Sequence, residues 1–201
     1  MAVEQPSHFR TYPTSQESVL ARIHDIDPDA LQGEARTTFE RVEREYGAFG
    51  NMLRVLGHRP PAVAHLFGLL LDSARDALIT RRHLEIVLVT ASRLNACHYC
   101  ISHHVPRLEA LGVSPETVER ILEPDVPGLD AVERLVRDYT AQVTTQRVTD
   151  TVVAQLREHF TEAQVVELTL RAALCAFFAR FNEALEIQVE PELLAAEIHA
   201  A

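Results

Sequence analysis

Two cysteines three residues apart, followed closely by two histidines, are the residues of this chain best equipped for chemistry. They lie in the stretch Glu85-Ile86-Val87-Leu88-Val89-Thr90-Ala91-Ser92-Arg93-Leu94-Asn95-Ala96-Cys97-His98-Tyr99-Cys100-Ile101-Ser102-His103-His104. On a helix turning about 100° per residue, Cys97, Cys100 and His104 fall within a sector of roughly 60°, because offsets of three and seven nearly complete whole turns. Cys100 and His104 are then one turn apart, so an imidazole nitrogen can take the thiol proton directly or through one water. A free thiol has a pKa of about 8.5, and a helix N-terminus or a neighbouring imidazolium lowers it. Asn95 reads as a break between two helices. It puts both cysteines in the first turn of the second helix and predicts readily formed thiolates.

The same residues admit blander readings. Two cysteines on a helix can be two small buried hydrophobes. Cys97, Cys100, His103 and His104 are all ligands that zinc accepts, but four of them within one short piece of helix close a tetrahedron poorly. Tyr99 and His98 fall about 100° to 200° away from the cysteine face and read as packing or rim. His103 points between the two sides, either as a hydrogen-bond partner behind the reacting groups or as a surface residue. Cys175, in Leu174-Cys175-Ala176-Phe177-Phe178, has no polar neighbour and reads as an inert core residue. Arg81 and Arg82 read as the start of a solvated face.

The elements that must position these groups are helices. Apolar residues recur at helical spacing nearly everywhere, and no run alternates as a half-buried strand does. Asp27-Pro28 predicts a helix start, with the helix running to about Tyr46-Gly47. Pro60 and Pro61 open the next, with Val63, Leu66, Phe67, Leu70 and Leu71 on one face. A turn near Ile79-Thr80 precedes a helix from Arg81 to about Leu94. Pro106 lies two residues past His104, so the cysteine helix is expected to end or kink locally there. Ser114-Pro115 caps a short helix, Pro127-Gly128 separates it from another over roughly Asp130 to Gln142, and Thr149 caps one ending near Phe160. Thr161 and Gln164 form a capping-box pattern before a long helix that is apolar on several sides and belongs in the core or in a subunit interface.

Composition narrows the class. The chain has 201 residues, 47% of them hydrophobic, which suffices for one sizeable core. A formal charge of −10 without clustered Lys and Arg argues against nucleic acid as a partner. No apolar run approaches the ~20 residues needed to span a bilayer, and Met1 to Arg10 lacks the basic end and apolar stretch of a secretory signal, so a cytoplasmic protein is expected. Three cysteines are too few for a disulfide scaffold, and in a reducing compartment a close pair points to metal or redox chemistry.

The spacing of Glu85, Cys97, Tyr99, Cys100 and His104 resembles the signature of the carboxymuconolactone decarboxylase and alkylhydroperoxidase D-like family. Weaker echoes lie in Leu56-Gly57-His58-Arg59-Pro60 and in Phe181-Asn182-Glu183-Ala184-Leu185, and the similarity spans roughly Gly47 to Val189. It implies an all-α, single-domain helical bundle over residues 47–201, with a helical extension at 1–46, assembling as a homo-oligomer, a trimer or hexamer. It further implies thiol peroxidase activity without a cofactor or metal. Carried over residue by residue, Cys100 is the peroxidatic thiol, Cys97 the resolving thiol, and His104, oriented by Glu85, the proton relay. The substrate is then a small hydroperoxide, and a thiol reductant restarts the cycle. The family's best-studied peroxidases have a histidine where this chain has Tyr99. Two other functions compete: a lyase acting on a small lactone acid, for which a dithiol has no use, and a thiol redox sensor of low turnover, which the departure at Tyr99 keeps open.

Overall fold

The computed structural model describes residues 21–47 and 49–193, and every regular element among them is helical. The reading of the opening residues falls outside the described ones. Asp27 does cap a helical turn, its side chain accepting from the Asp29 N–H at 3.0 Å, but the turn is a 3-10 one limited to Pro28–Ala30. Leu31 and Gln32 are extended, which turns Leu31 into the core, and α1 begins only at Gly33 and runs Gly33–Tyr46. Its C-cap, Gly47, has φ 64, a left-handed conformation that glycine adopts without the clash a Cβ brings.

A short helix that the sequence pattern did not disclose, α2 (Gly50–Leu56), follows. The two prolines open α3 (Pro60–Ala62), which passes through a π-helical stretch, Val63–Phe67, into α4 (Gly68–Asp76). The buried residues of this rod are Val63, Ala64, Phe67 and Leu71, whereas Leu66 and Leu70 are only half buried.

Helix α5 spans Arg81–Leu94, capped by the Thr80 hydroxyl at 3.1 Å from the His83 N–H, and α6 spans His98–Ala110. Pro106 does not end α6: of the two expected outcomes the helix takes the continuing one, running on to Ala110. Then come α7 (Pro115–Glu119), α8 (Ala131–Thr144), α9 (Asp150–His159) and α10 (Glu162–Leu185), each beginning at a Ser, Asp or Thr cap. The Thr161/Gln164 capping box forms, and a second one joins Asp130 and Glu133. No helix among the described residues is long and apolar enough to cross a membrane.

The packing divides into two apolar clusters. One gathers Phe39, Val42, Leu53, Val63, Phe67 and Leu71 around the start of α6, and the other gathers Ile86, Val87, Leu108, Val136, Leu156 and Leu168. Burying each such Leu, Ile or Phe contributes about 1.5–3 kcal/mol. Helix α10 serves both clusters, with Leu168 and Ala172 in the second and Ala179 in the first. Cys97 and Cys100 belong to the first cluster while Glu85 lies on α5, whose Ile86, Val87 and Val89 belong to the second. The reactive residues therefore sit at the seam, walled by α5, α6 and α10.

Candidate active site

The seam is shaped by how α5 ends. The Ala96 N–H bonds the Arg93 carbonyl at 3.1 Å, and the Cys97 N–H bonds the Ser92 carbonyl at 3.1 Å. These are the two closing bonds of a Schellman stop. Ala96 occupies its left-handed position at φ 50, a place usually held by glycine. The chain leaves this turn with Cys97 as N-cap of α6, and the Cys97 sulfur accepts from the Cys100 N–H at 3.3 Å. The expected break at Asn95 is thus present, with Cys97 just before the helix and Cys100 in its first turn.

The two sulfurs lie 2.7 Å apart as free thiols. Cys97 is sealed at 0% exposure, whereas Cys100 faces a cavity of about 90 Å³. His104 lines the same cavity, as does Glu85. The His104 Nδ1 is 3.0 Å from Glu85 Oε2, which leaves Nε2 as the nitrogen available to the cavity. Glu85 is fully buried and ion-paired on its other oxygen with Arg81, at 2.7 Å. Arg81 is exposed, as a residue beginning a solvated face should be, but it also reaches the site through Glu85, and Arg82 is engaged on Glu133.

Electrostatics divide the groups. Burial pushes His104 below the ordinary imidazole range, against the opposing pull of Glu85, so the imidazole is a neutral base at neutral pH. Burial acts against ionised Glu85, but its hydrogen bond to His104 and the charges of His104 and Arg81 prevail and hold it below the usual carboxylate range. The expectation of an easily formed thiolate is not met at Cys100. Interactions with the thiols of Cys175 and Cys97, together with burial, raise it well above the ordinary thiol range. The Cys100 N–H of the helix start is spent on the Cys97 sulfur, and the Cys100 sulfur takes the Cys97 thiol as a close neighbour instead.

Cys175 is the correction with most consequence. Far from having only apolar neighbours, it lines the cavity with Cys100 and lies 3.5 Å from the Ser92 hydroxyl. Its sequence neighbours are apolar, but the residues it faces come from α5 and α6. Asn182, two turns further along α10, donates through Nδ2 to the Cys100 sulfur at 3.7 Å, while its buried Oδ1 has no partner. On α10 the cavity wall is read at helical spacing: Arg171, Leu174, Cys175, Phe178 and Asn182.

Behind the thiols lies a second polar cluster. Tyr99 is buried and lines the cavity, and its hydroxyl donates to Glu190 Oε1 at 2.8 Å. Burial and the Glu190 charge raise the phenol well above its ordinary range, so it stays a donor. His103 is buried rather than superficial, with Nδ1 2.8 Å from the Tyr99 carbonyl and Nε2 2.9 Å from Glu190 Oε2. Burial works against the Glu190 charge, yet hydrogen bonds from His103, the Asn51 backbone and Tyr99 leave it below the usual carboxylate range. Phe49, in a left-handed conformation at φ 80, stacks on His103 with ring centroids 4.5 Å apart, and Arg107 lies 4.8 Å from the centroid of the Phe49 ring. No motif pointed to Phe49, Glu190 or Arg107. Only Asn182 carried a signal, through its family-like neighbours Phe181 and Glu183.

An all-helical scaffold with paired thiols, a carboxylate-held histidine and a largely apolar cavity defines a class of thiol-bearing helical proteins. Residues 60–131 match the model of the carboxymuconolactone decarboxylase family. With that segment, which contains Glu85, Cys97, Cys100 and His104, the resemblance read from the sequence to the carboxymuconolactone decarboxylase/alkylhydroperoxidase D-like family is borne out. Three solved structures are similar over most of the chain. The alkylhydroperoxidase AhpD core of an uncharacterized peroxidase-related protein from Ralstonia eutropha JMP134 is 21% identical, with TM-score 0.69, covering 87% of this chain and 94% of its own. A peroxidase-related protein from Silicibacter sp. TM1040 is 18% identical, with TM-score 0.65, covering 90% and 97%. The debrominase Bmp8 is 19% identical, with TM-score 0.66, covering 90% and 97%. At these identities the likeness carries the fold. No curated protein matches the chain.

Proposed function

We propose that the protein is a thiol peroxidase that reduces organic hydroperoxides. The observation that carries this reading is a pair of thiols 2.7 Å apart, one of which opens onto the same cavity as a carboxylate-anchored neutral histidine. A hydroperoxide in the cavity reaches the Cys100 sulfur on one side and the His104 Nε2 on the other. As the sulfur attacks the terminal peroxide oxygen, His104 takes the thiol proton and returns it to the departing alkoxide. Cys100 becomes a sulfenic acid, ROOH becomes ROH, and the Cys97 thiol then condenses with the sulfenic acid, forming the disulfide and releasing water. An external dithiol reduces the bridge. The raised Cys100 thiol supports a mechanism in which deprotonation accompanies attack, because a standing thiolate is disfavoured there. Asn182 supplies a free Oδ1 to accept the hydroperoxide O–H.

The walls support an organic substrate over hydrogen peroxide: Met52, Phe67, Leu70, Leu84, Leu88, Leu174 and Phe178 all line the cavity. The exposed Val166 and Phe177 of α10 support assembly of copies of the chain into a homo-oligomer through that helix. The test of function is steady-state turnover with dithiothreitol as reductant. The parent is expected to consume cumene hydroperoxide faster than hydrogen peroxide, and Cys100→Ser is expected to lose that activity. Turnover of a lactone acid that survives Cys100→Ser, with no hydroperoxide consumption by the parent, would replace this reading with the lyase.

A further inference from the structure

The site holds three thiols, and the mechanism above uses two. Cys97 is fully enclosed, whereas Cys175 lines the cavity together with Cys100, from α10. The third thiol is buried, yet it has polar neighbours. The Ser92 hydroxyl lies 3.5 Å from its sulfur, and its interaction with Cys100, aided by Ser92, outweighs burial and holds it below the ordinary thiol range. A sulfenic acid on Cys100 that projects toward the cavity, where the peroxide arrived, has Cys175 beside its oxidised face.

We propose that Cys175 is a second bridging partner of Cys100, forming a Cys100–Cys175 disulfide that ties α6 to α10 across the cavity wall. In its peroxide-driven form this rests on the peroxidase reading. The Cys175 sulfur displaces hydroxide from the Cys100 sulfenic acid; with the Cys175 proton this leaves as water, and one sulfur–sulfur bond forms. Cys97 then attacks the Cys100 sulfur of that bridge, making the Cys97–Cys100 disulfide and returning Cys175 as a thiol. Sulfur at both sides of Cys100 leaves the sulfenic acid little time to meet a second hydroperoxide and become the irreversible sulfinic acid. With the bridge closed across the wall, the cavity admits no further substrate until exchange reopens it.

The experiment separates the bridge from the peroxidase reading by using two oxidants. Serine is a good N-cap, so Cys97→Ser keeps the start of α6. Reduced Cys97→Ser is treated with one equivalent of diamide, which oxidises thiol pairs irrespective of peroxidase activity, or of cumene hydroperoxide, and digested without reduction for mass mapping. The expected result with diamide is loss of two thiols per chain and a crosslinked peptide pair containing Cys100 and Cys175, absent from Cys97→Ser/Cys175→Ser. With the hydroperoxide, the same pair is expected in the single variant. The double variant instead accumulates a dimedone-trapped sulfenic acid on Cys100, at least tenfold above the single variant. Finding Cys175 still free after diamide overturns the proposal, as does equal dimedone labelling of the two variants. A diamide bridge with no reaction toward hydroperoxide in any variant upholds the third thiol as a bridging partner and removes the peroxidase reading instead.

Discussion

At the scale of single residues, groups lining one cavity shift in opposite directions. Burial lowers His104, so it remains an unprotonated base below the ordinary imidazole pKa of about 6.5, while its sulfur neighbours raise Cys100. The rate of Cys100 oxidation is therefore expected to lose little to His104 protonation as pH falls through 6.5, and to stay level up to about pH 8.5, where an ordinary thiol's rate still follows its ionisation. Stopped-flow oxidation by cumene hydroperoxide between pH 5.5 and about 9.5 checks both limbs, and a rate that rises in proportion to hydroxide up to about pH 8.5 contradicts proton removal during attack. His104→Ala removes the base, with a loss expected at about 10²–10⁴-fold. The grouping of Cys97, Cys100 and His104 was legible because they fall close together along the chain, at spacings that helical geometry converts into neighbours, whereas Glu85 was joined to them only by the family resemblance. Cys175 was not, because its apolar neighbours in sequence say nothing of Ser92 and Cys100, which reach it from other helices. Glu190 was equally hidden: its contacts with Tyr99 and His103 join positions about ninety residues apart.

At the scale of elements, the decisive feature is the stop between α5 and α6. Cap residues and turn signals gave the boundaries of α5, α7, α9 and α10, since a Ser or Thr before a helical run satisfies local N–H groups and needs no tertiary information. The resumption of α6 past Pro106 was readable from the apolar spacing of Leu108 and Leu111, whereas the π-helical stretch in the second rod was not, since it leaves no mark in the apolar periodicity. Ala96 sits where glycine is favoured, so Ala96→Gly relieves left-handed strain and is expected to raise stability by about 0.5–1 kcal/mol. Urea unfolding under reducing conditions measures this, and a loss of stability would mean that the turn is not the Schellman stop described.

At the scale of the whole molecule, two apolar clusters meet along α10, and the ionisable groups at their seam couple folding to pH. His104 is lowered in the folded state, so the unfolded chain binds its proton first as pH falls below about 6.5, and stability drops from there. Glu85 and Glu190 are lowered as well; their contribution is present above the unfolded carboxylate pKa of about 4.3 and is lost as pH falls through their folded values. All three act in the same direction, so the melting temperature is expected to fall continuously on acidification from pH 6.5, and less steeply in Glu190→Gln than in the parent. Calorimetry across pH 3.5 to about 7.5 checks this, and a melting temperature unchanged down to pH 4.5 contradicts it.

The most direct measurement of the central claim is a count of free thiols before and after one equivalent of cumene hydroperoxide. The account predicts rapid loss of two thiols per chain in the parent, with Cys97 and Cys100 recovered in one disulfide-linked peptide, and little loss within the same time in Cys100→Ser or His104→Ala. Thiols that remain fully titratable in the parent, or that vanish equally fast without Cys100, would contradict it.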